Sequence, residues 1–426
     1  MLTFVLFSSF ILLLALGTPI AISLGVAAIF AIELDATTPL TVAAQRMFSA
    51  NDSFPLMAIP FFMLAGSIMT HGGISGRLVR IANAFMGHWT GGLGIVSVVT
   101  SMFFAAISGS SAATTAAIGG TLIPEMEKKG YKRDFSSAIV ASAGTTGIVI
   151  PPSTAMIVYG VTASASIGKL FMGGLVPGML MGLAMILVVY AVCRREGYGK
   201  VAKVPWGERI SALKDGIWGI LMPVIVLGGI YGGIFTPTES AAVACFYGMF
   251  VGVVVYRDVK LRSLYTIFSS AVIGTAVVML IMSTAMVFGY IVTANKVPQM
   301  IAAWLLELSS NAFVIMLLIN IFLLLVGCFL NVSAAIIILV PVLLPVVTAI
   351  GYDPVAFGVI MTVNMAIGCI TPPVGVDLFV AQGISGVPIE KIARSTLPFL
   401  ISLLVVLAII TAFPQIILFL PDLLAK

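Results

Sequence analysis

The stretch Ala143–Met156 reads AGTTGIVIPPSTAM and lies inside a long apolar run. It sets Gly144, Thr145, Gly147, Pro151, Pro152 and Ser153 where a membrane helix would ordinarily be unbroken. Proline removes a backbone donor and interrupts the helical ladder. Each unpaired carbonyl in lipid costs roughly several kcal/mol, so freed carbonyls at this depth call for a ligand. A cage of neutral oxygens suits an alkali cation. The free N–H groups and dipole of a helix start suit a carboxylate.

Three further interruptions have the same make-up. Ser108-Gly109-Ser110-Ser111 sits within the apolar stretch 91–123. Gly327-Cys328-Phe329-Leu330-Asn331-Val332-Ser333 sits within 311–350, and Gly368-Cys369-Ile370-Thr371-Pro372-Pro373-Val374-Gly375 within 355–385. No Lys or Arg falls at these points, so ion binding there must use carbonyls, hydroxyls and Asn331. That composition favours Na⁺ over a proton relay, which needs titratable groups. Serine and threonine also satisfy broken helices for purely structural reasons. Asp377 is the one acid well inside an apolar run. A charge there is costly and functional by default, as a substrate, proton or ion contact, or else it stabilises the broken helix. Glu239, in Thr236-Pro237-Thr238-Glu239-Ser240, reads as a helix cap.

The elements that must position these residues are membrane helices. The chain has 426 residues, 60% hydrophobic and only 9% charged, where soluble proteins carry about 25% charged residues. Spans are expected near 2–32, 55–71, 134–167, 170–193, 216–235, 238–256, 264–294, 355–385 and 395–419. The first is read as one retained helix, because no basic n-region precedes it. Segments 40–50 and 75–88 are amphipathic, as interfacial helices are. Loops 125–134, 194–214 and 257–262 gather the basic residues and are therefore cytoplasmic. The halves of 91–123 and 311–350 are too short to cross, since a span needs about 20 residues. Both stretches read as re-entrant hairpins, and 134–167 and 355–385 as full spans unwound at their middles.

One offset relates the two sets. Gly130-Tyr131 and Gly351-Tyr352 lie 221 positions apart, as do Pro124 and Pro345, Gly147 and Gly368, and Pro151-Pro152 and Pro372-Pro373. Three spans separate the copies, so the second copy is inverted. Inverted repeats with broken helices mark secondary transporters, with binding near the midplane. The expected organisation is an N-terminal membrane helix and amphipathic segment (1–54), repeat 1 (55–193), a cytoplasmic loop with two linking helices (194–263), and repeat 2 (264–419). The fold class is an all-α polytopic membrane protein of inverted repeats.

Other functions find little support. Cys193, Cys245, Cys328 and Cys369 form no CxxC pair, and His71 and His88 are too far apart to suggest a metal centre. Both histidines lie near segment ends, away from a serine nucleophile, and Asp377 has no second membrane aspartate. Intramembrane proteolysis is therefore disfavoured and no enzyme is expected. Short hairpins with unwound helices fit an occluding carrier better than an open channel. The net charge of +5 sits in short loops and does not point to nucleic acid.

At these residues the chain resembles the large membrane subunit, DctM type, of tripartite ATP-independent periplasmic (TRAP) transporters. The resemblance runs through AIPFFMLAGSIM (58–69), AAISGSSAATTAAIG (105–119), GTTGIVIPPS (144–153), KLFMGGLVPG (169–178), GGIFTPTESAAVA (232–244) and ITPPVGVDLFV (370–380). It implies a bacterial inner-membrane protein working with a small four-helix membrane subunit and a soluble periplasmic binding protein. It implies Na⁺-driven import of an organic acid (a C4-dicarboxylate, sialic acid or another sugar acid) by an elevator motion of a domain holding both hairpins. Carried onto this sequence, one Na⁺ site involves Ser108, Ser110, Ser111, Gly144, Thr145, Gly147 and Pro151. The other involves Gly327, Asn331, Gly368, Thr371 and Val374. Substrate is expected near Ser108, Ser110, Ser153 and Asp377. Many relatives have an acid where this chain has Asn331, which keeps an oxygen ligand but removes a charge. The large-subunit pattern starts at the first residues, so the small subunit is expected as a separate chain. The alternative is a stand-alone Na⁺/dicarboxylate symporter of similar fold.

Overall fold

A computed structural model describes residues 2–34, 38–198, 203–309 and 311–424. Positions 199–202 of the basic loop 194–214 lie outside the described residues. Every described element is helical, and seven helices are long and apolar enough to cross a bilayer.

The run 2–32, expected as one helix, is two: α1 (Leu2–Ala15) and α2 (Ile20–Leu34). Between them Gly17 takes a left-handed φ of 80°, just ahead of Pro19, so the helix cannot continue. Phe7 and Phe10 of α1 reach Phe288, with ring centroids 5.4 and 5.5 Å apart. Gly25 of α2 faces Thr284, one turn from Phe288. Collinear helices would hold residues 10 and 25 about 22 Å apart, so α1 folds back along α2.

The amphipathic α3 (Thr41–Asn51) follows, and a tight turn at Phe54–Met57 leads into α4 (Ala58–His71). The second amphipathic helix, α5 (Ile74–Met86), buries Leu78, Val79 and Ala82. Its basic side is held by protein as well. Arg77 donates to Asp258 (2.7 Å) and Arg80 to Asp215 (3.1 Å), and the Arg77 guanidinium lies 3.8 Å from the Tyr256 ring centroid.

Next come the hairpin α6 (Gly92–Ser108) and α7 (Ser111–Lys128), then α8 (Arg133–Gly144), a tight turn at Thr145–Ile148 and α9 (Thr154–Thr162). Three long helices follow: α10 (Ile167–Glu196), α11 (Trp206–Tyr231) and α12 (Pro237–Phe250), the last extended by a wide turn at Val251–Val255. Thr236 and Glu239 cap α12 reciprocally, as the sequence suggests. The 34-residue α13 (Leu261–Ala294) leads to α14 (Val297–Leu308), which the span assignments passed over. The second hairpin is α15 (Ala312–Gly327) and α16 (Val332–Ala349), and the second broken segment is α17 (Pro354–Gly368) and α18 (Val376–Ser385). The chain closes with α19 (Ile389–Ala412) and α20 (Gln415–Leu424).

The repeat is visible bond by bond. Gly130 and Gly351 both have φ of 86°. Tyr131 N donates to Met126 O at 3.0 Å, and Tyr352 N to Val347 O at 3.1 Å, again 221 positions on. The copies also exchange partners. The return arm of the first hairpin, α7, packs on α18 of the second repeat, while α16 packs on α9 of the first. This reciprocal packing brings all four interruptions into one region.

Candidate ion and substrate site

At the first tip, α6 ends at Ser108, Gly109 turns with φ of 62°, and Ser110 caps α7 by accepting from Ala113 N (3.4 Å). Ser108 Oγ shares a hydrogen bond with Thr114 Oγ1 (2.8 Å), and Thr114 Oγ1 donates to Ser110 O (2.8 Å). The tip lies against the first break. Thr154 Oγ1 donates to Gly109 O (3.0 Å). A Cβ on Gly147 would stand 2.5 Å from Ser110 O, and one on Gly144 would collide with Thr115 Oγ1. Only glycine permits these approaches. Ser108, Ser110, Ser111, Gly144 and Gly147 are thus brought together. Thr145 is buried beside them, its hydroxyl donating to Ser142 O (2.6 Å). Pro151 is buried in the same unwound stretch, and the carbonyl of Pro152 faces Gly109.

The second tip repeats the arrangement more openly. Gly327 and Gly368 meet backbone to backbone, since a Cβ on Gly368 would lie 2.7 Å from Gly327 Cα. Asn331 caps α16, its Oδ1 accepting from Ser333 N (3.0 Å). Thr371 Oγ1 donates to Ile367 O (2.8 Å). Residues 144–153 are all buried, whereas 372–374 are exposed. The two breaks therefore share geometry but differ in burial.

A cavity of about 490 Å³ lies between the tips and helices α4 and α13. Ser108, Ser110, Asn331 and Ser333 form one wall, and Ser67 and Ser270 stand on the other. Ser67 Oγ and Ser270 Oγ are hydrogen-bonded to each other (2.9 Å). With the basic loops inside, Thr70, His71 and Ser270 lie toward the cytoplasmic ends of α4 and α13, so the cavity faces the cytoplasm.

Two residues expected near substrate, Ser153 and Asp377, are not among the residues that line this cavity. Ser153 is fully buried, and its hydroxyl is engaged with Ile148 O (2.5 Å) and Met156 N (3.3 Å) as the cap of α9. Its neighbour Thr154 lines the cavity instead. Asp377 sits in the first turn of α18, fully buried, its carboxylate close to Ser111 but without a hydrogen bond of good geometry. Its near neighbours are Ser111 and Cys369, so it lies behind the first tip rather than on the cavity wall. The hydroxyls of Ser67, Thr70 and Ser270 on the facing wall carry little distinguishing pattern in the sequence. The sequence trace is the i, i+3 spacing of Ser67 and Thr70 on α4, and Ser270 on α13 has none.

The sequence profile described as the DctM component of tripartite ATP-independent periplasmic transporters matches residues 7–416. The chain is 48% identical over 413 residues to an isethionate TRAP transporter permease protein, DctMQ, of Oleidesulfovibrio alaskensis. That alignment covers 97% of this chain and 65% of the relative, so the chain spans about two thirds of its length. It is 43% identical to a C4-dicarboxylate TRAP transporter large permease protein, DctM, of Pseudomonas aeruginosa, covering 94% of each. Among solved structures, the Alcanivorax borkumensis YdaH transporter superposes with a TM-score of 0.66 at 17% identity, over 89% of this chain and 90% of the other. At that identity the likeness is one of fold.

Proposed function

The chain belongs to the DctM family of tripartite ATP-independent periplasmic transporters, and on that premise we propose that it is the Na⁺-driven permease subunit importing an organic acid. It is a multi-pass protein of the bacterial inner membrane. The observation that carries the reading is the meeting of two hairpin tips and the first unwound helix around one cavity, with the second unwound helix packed against the second tip. Cations occupy the two tip–break junctions. The substrate anion lies in the cavity between them, against Ser108, Ser110, Asn331 and Thr154. Bound sodium supplies the positive charge that a cavity wall without Lys or Arg cannot. Substrate and ion affinities are thereby linked, since each stabilises the site the other needs.

The hairpins and broken helices carry the site past α4 and α13 as a unit, in an elevator motion. A periplasmic binding protein delivers the substrate, and a small four-helix subunit completes the membrane complex. The substrate classes are those of the relatives: small dicarboxylates, and sulfonates such as isethionate, beside the sugar acids expected from the family resemblance. The test is uptake of labelled succinate, isethionate and sialic acid into proteoliposomes holding this chain and its small subunit. An inward Na⁺ gradient is imposed and the binding protein is added or omitted. Uptake requiring both supports the proposal. Sodium-driven uptake without the binding protein favours the stand-alone symporter.

A further inference from the structure

A second cavity, of about 420 Å³, lies on the periplasmic half of α13 and α16, two helices that also line the first. Its lining on α13 runs from Met282 to Ala294, where the cytoplasmic cavity uses Ser270 to Ile281. On α16 it uses Ile337 and Pro341, where the cytoplasmic cavity uses Ser333. The two cavities are successive stations along one track, with centres about 18 Å apart at 1.5 Å per residue of α13. Their chemistry differs. Among the described residues the cytoplasmic station has no Lys or Arg in its lining, and the periplasmic one has Arg46 of α3. The Arg46 guanidinium lies 4.6 Å from the Tyr290 ring centroid, beside the cavity that Thr162 and Thr293 also line. Among the described residues no acid forms an ion pair with it.

Granting the carrier function proposed above, we infer that Arg46 is a substrate-binding residue of the outward-facing state alone, pairing with the carboxylate or sulfonate of the incoming anion. The ring of Tyr290 holds the guanidinium flat while leaving its N–H fork free for a planar or trigonal oxyanion. When the tips move to the cytoplasmic station they leave Arg46 behind. The anion then loses a charge-assisted contact and is released more readily. Arg46 is carried on a helix that packs on α13, so its place in the scaffold is fixed while the tips travel.

The test uses the whole complex in oriented proteoliposomes, with succinate and isethionate as probes. KM is measured from the periplasmic face and half-saturation of exchange from the cytoplasmic face, for the wild type, Arg46→Gln and Arg46→Lys. Arg46→Gln should raise periplasmic KM about tenfold or more, the weight of one charge-assisted pair, and leave cytoplasmic half-saturation unchanged. Arg46→Lys should recover part of the loss. The unchanged cytoplasmic value also reports that the variant is folded. If Arg46→Gln does not fold, Tyr290→Leu, which removes only the platform, should raise periplasmic KM alone. An equal change at both faces, or none at either, overturns the inference. An effect confined to bilayers containing phosphatidylglycerol assigns Arg46 to lipid phosphate and also overturns it. A wild type that transports neither these probes nor sialic acid refutes the carrier reading itself.

Discussion

Gly147 lies directly against Ser110: a Cβ at position 147 would stand 2.5 Å from the Ser110 carbonyl oxygen and 2.7 Å from Thr114 Oγ1. This contact fastens the first hairpin tip to the first unwound helix. Gly147→Ala should force the two apart at a cost of about 1–3 kcal/mol, the usual range for overpacking. Purified protein should melt at lower temperature, and half-saturation of uptake by Na⁺ should rise. Unchanged sodium dependence in a protein that melts lower would separate this contact from the ion site.

Thr145→Val keeps the shape of a fully buried side chain and removes the hydroxyl that donates to Ser142 O. Loss of one such bond costs about 1 kcal/mol in stability. If the Thr145 oxygen also faces the cation, half-saturation by Na⁺ should rise about tenfold or more, beyond what stability alone accounts for. A sodium titration of uptake beside a melting curve distinguishes the two.

Asn331→Asp retains a good helix cap, because either side chain accepts from the backbone N–H of the next turn. It restores a charge at the second tip, so Na⁺ half-saturation should fall. Asn331→Ala loses the cap, at about 1 kcal/mol, and should weaken Na⁺ dependence. A titration in which both variants shift the same way would remove this side chain from the ion site.

Asp377→Asn should preserve folding, since an amide of the same shape removes an unpaired buried charge and can keep the approach to Ser111. Asp377 stands beside Ser111 and off the cavity wall. The variant should therefore raise half-saturation by Na⁺ while leaving substrate KM at saturating sodium unchanged. A rise in substrate KM alone would return Asp377 to the substrate.

The sequence made the four interruptions legible because Gly, Pro and clustered hydroxyls are rare within apolar runs, and their offset of 221 recurs in the Gly130 and Gly351 turns. It concealed what depends on tertiary packing. The break at Gly17 and Pro19 is hidden because apolar residues continue on both sides. The fold-back of α1 becomes evident only from the contacts with Phe288. Single hydroxyls such as Ser67 and Ser270 look like ordinary helix–helix contacts until the tips are placed opposite them. Ser153 and Thr154 are adjacent and chemically alike. The cap geometry decides that Ser153 turns inward and Thr154 lines the cavity.

In the proposed transport cycle the tips travel between two stations on α13. The most direct measurement is Hg²⁺ crosslinking in a background without native cysteines. Ser333→Cys is paired with Ser270→Cys on the cytoplasmic station, or with Gly289→Cys on the periplasmic one. Both pairs should crosslink, with Na⁺ and substrate shifting the proportion between them. Crosslinking of the Ser270 pair alone, under every ionic and substrate condition, would contradict the account.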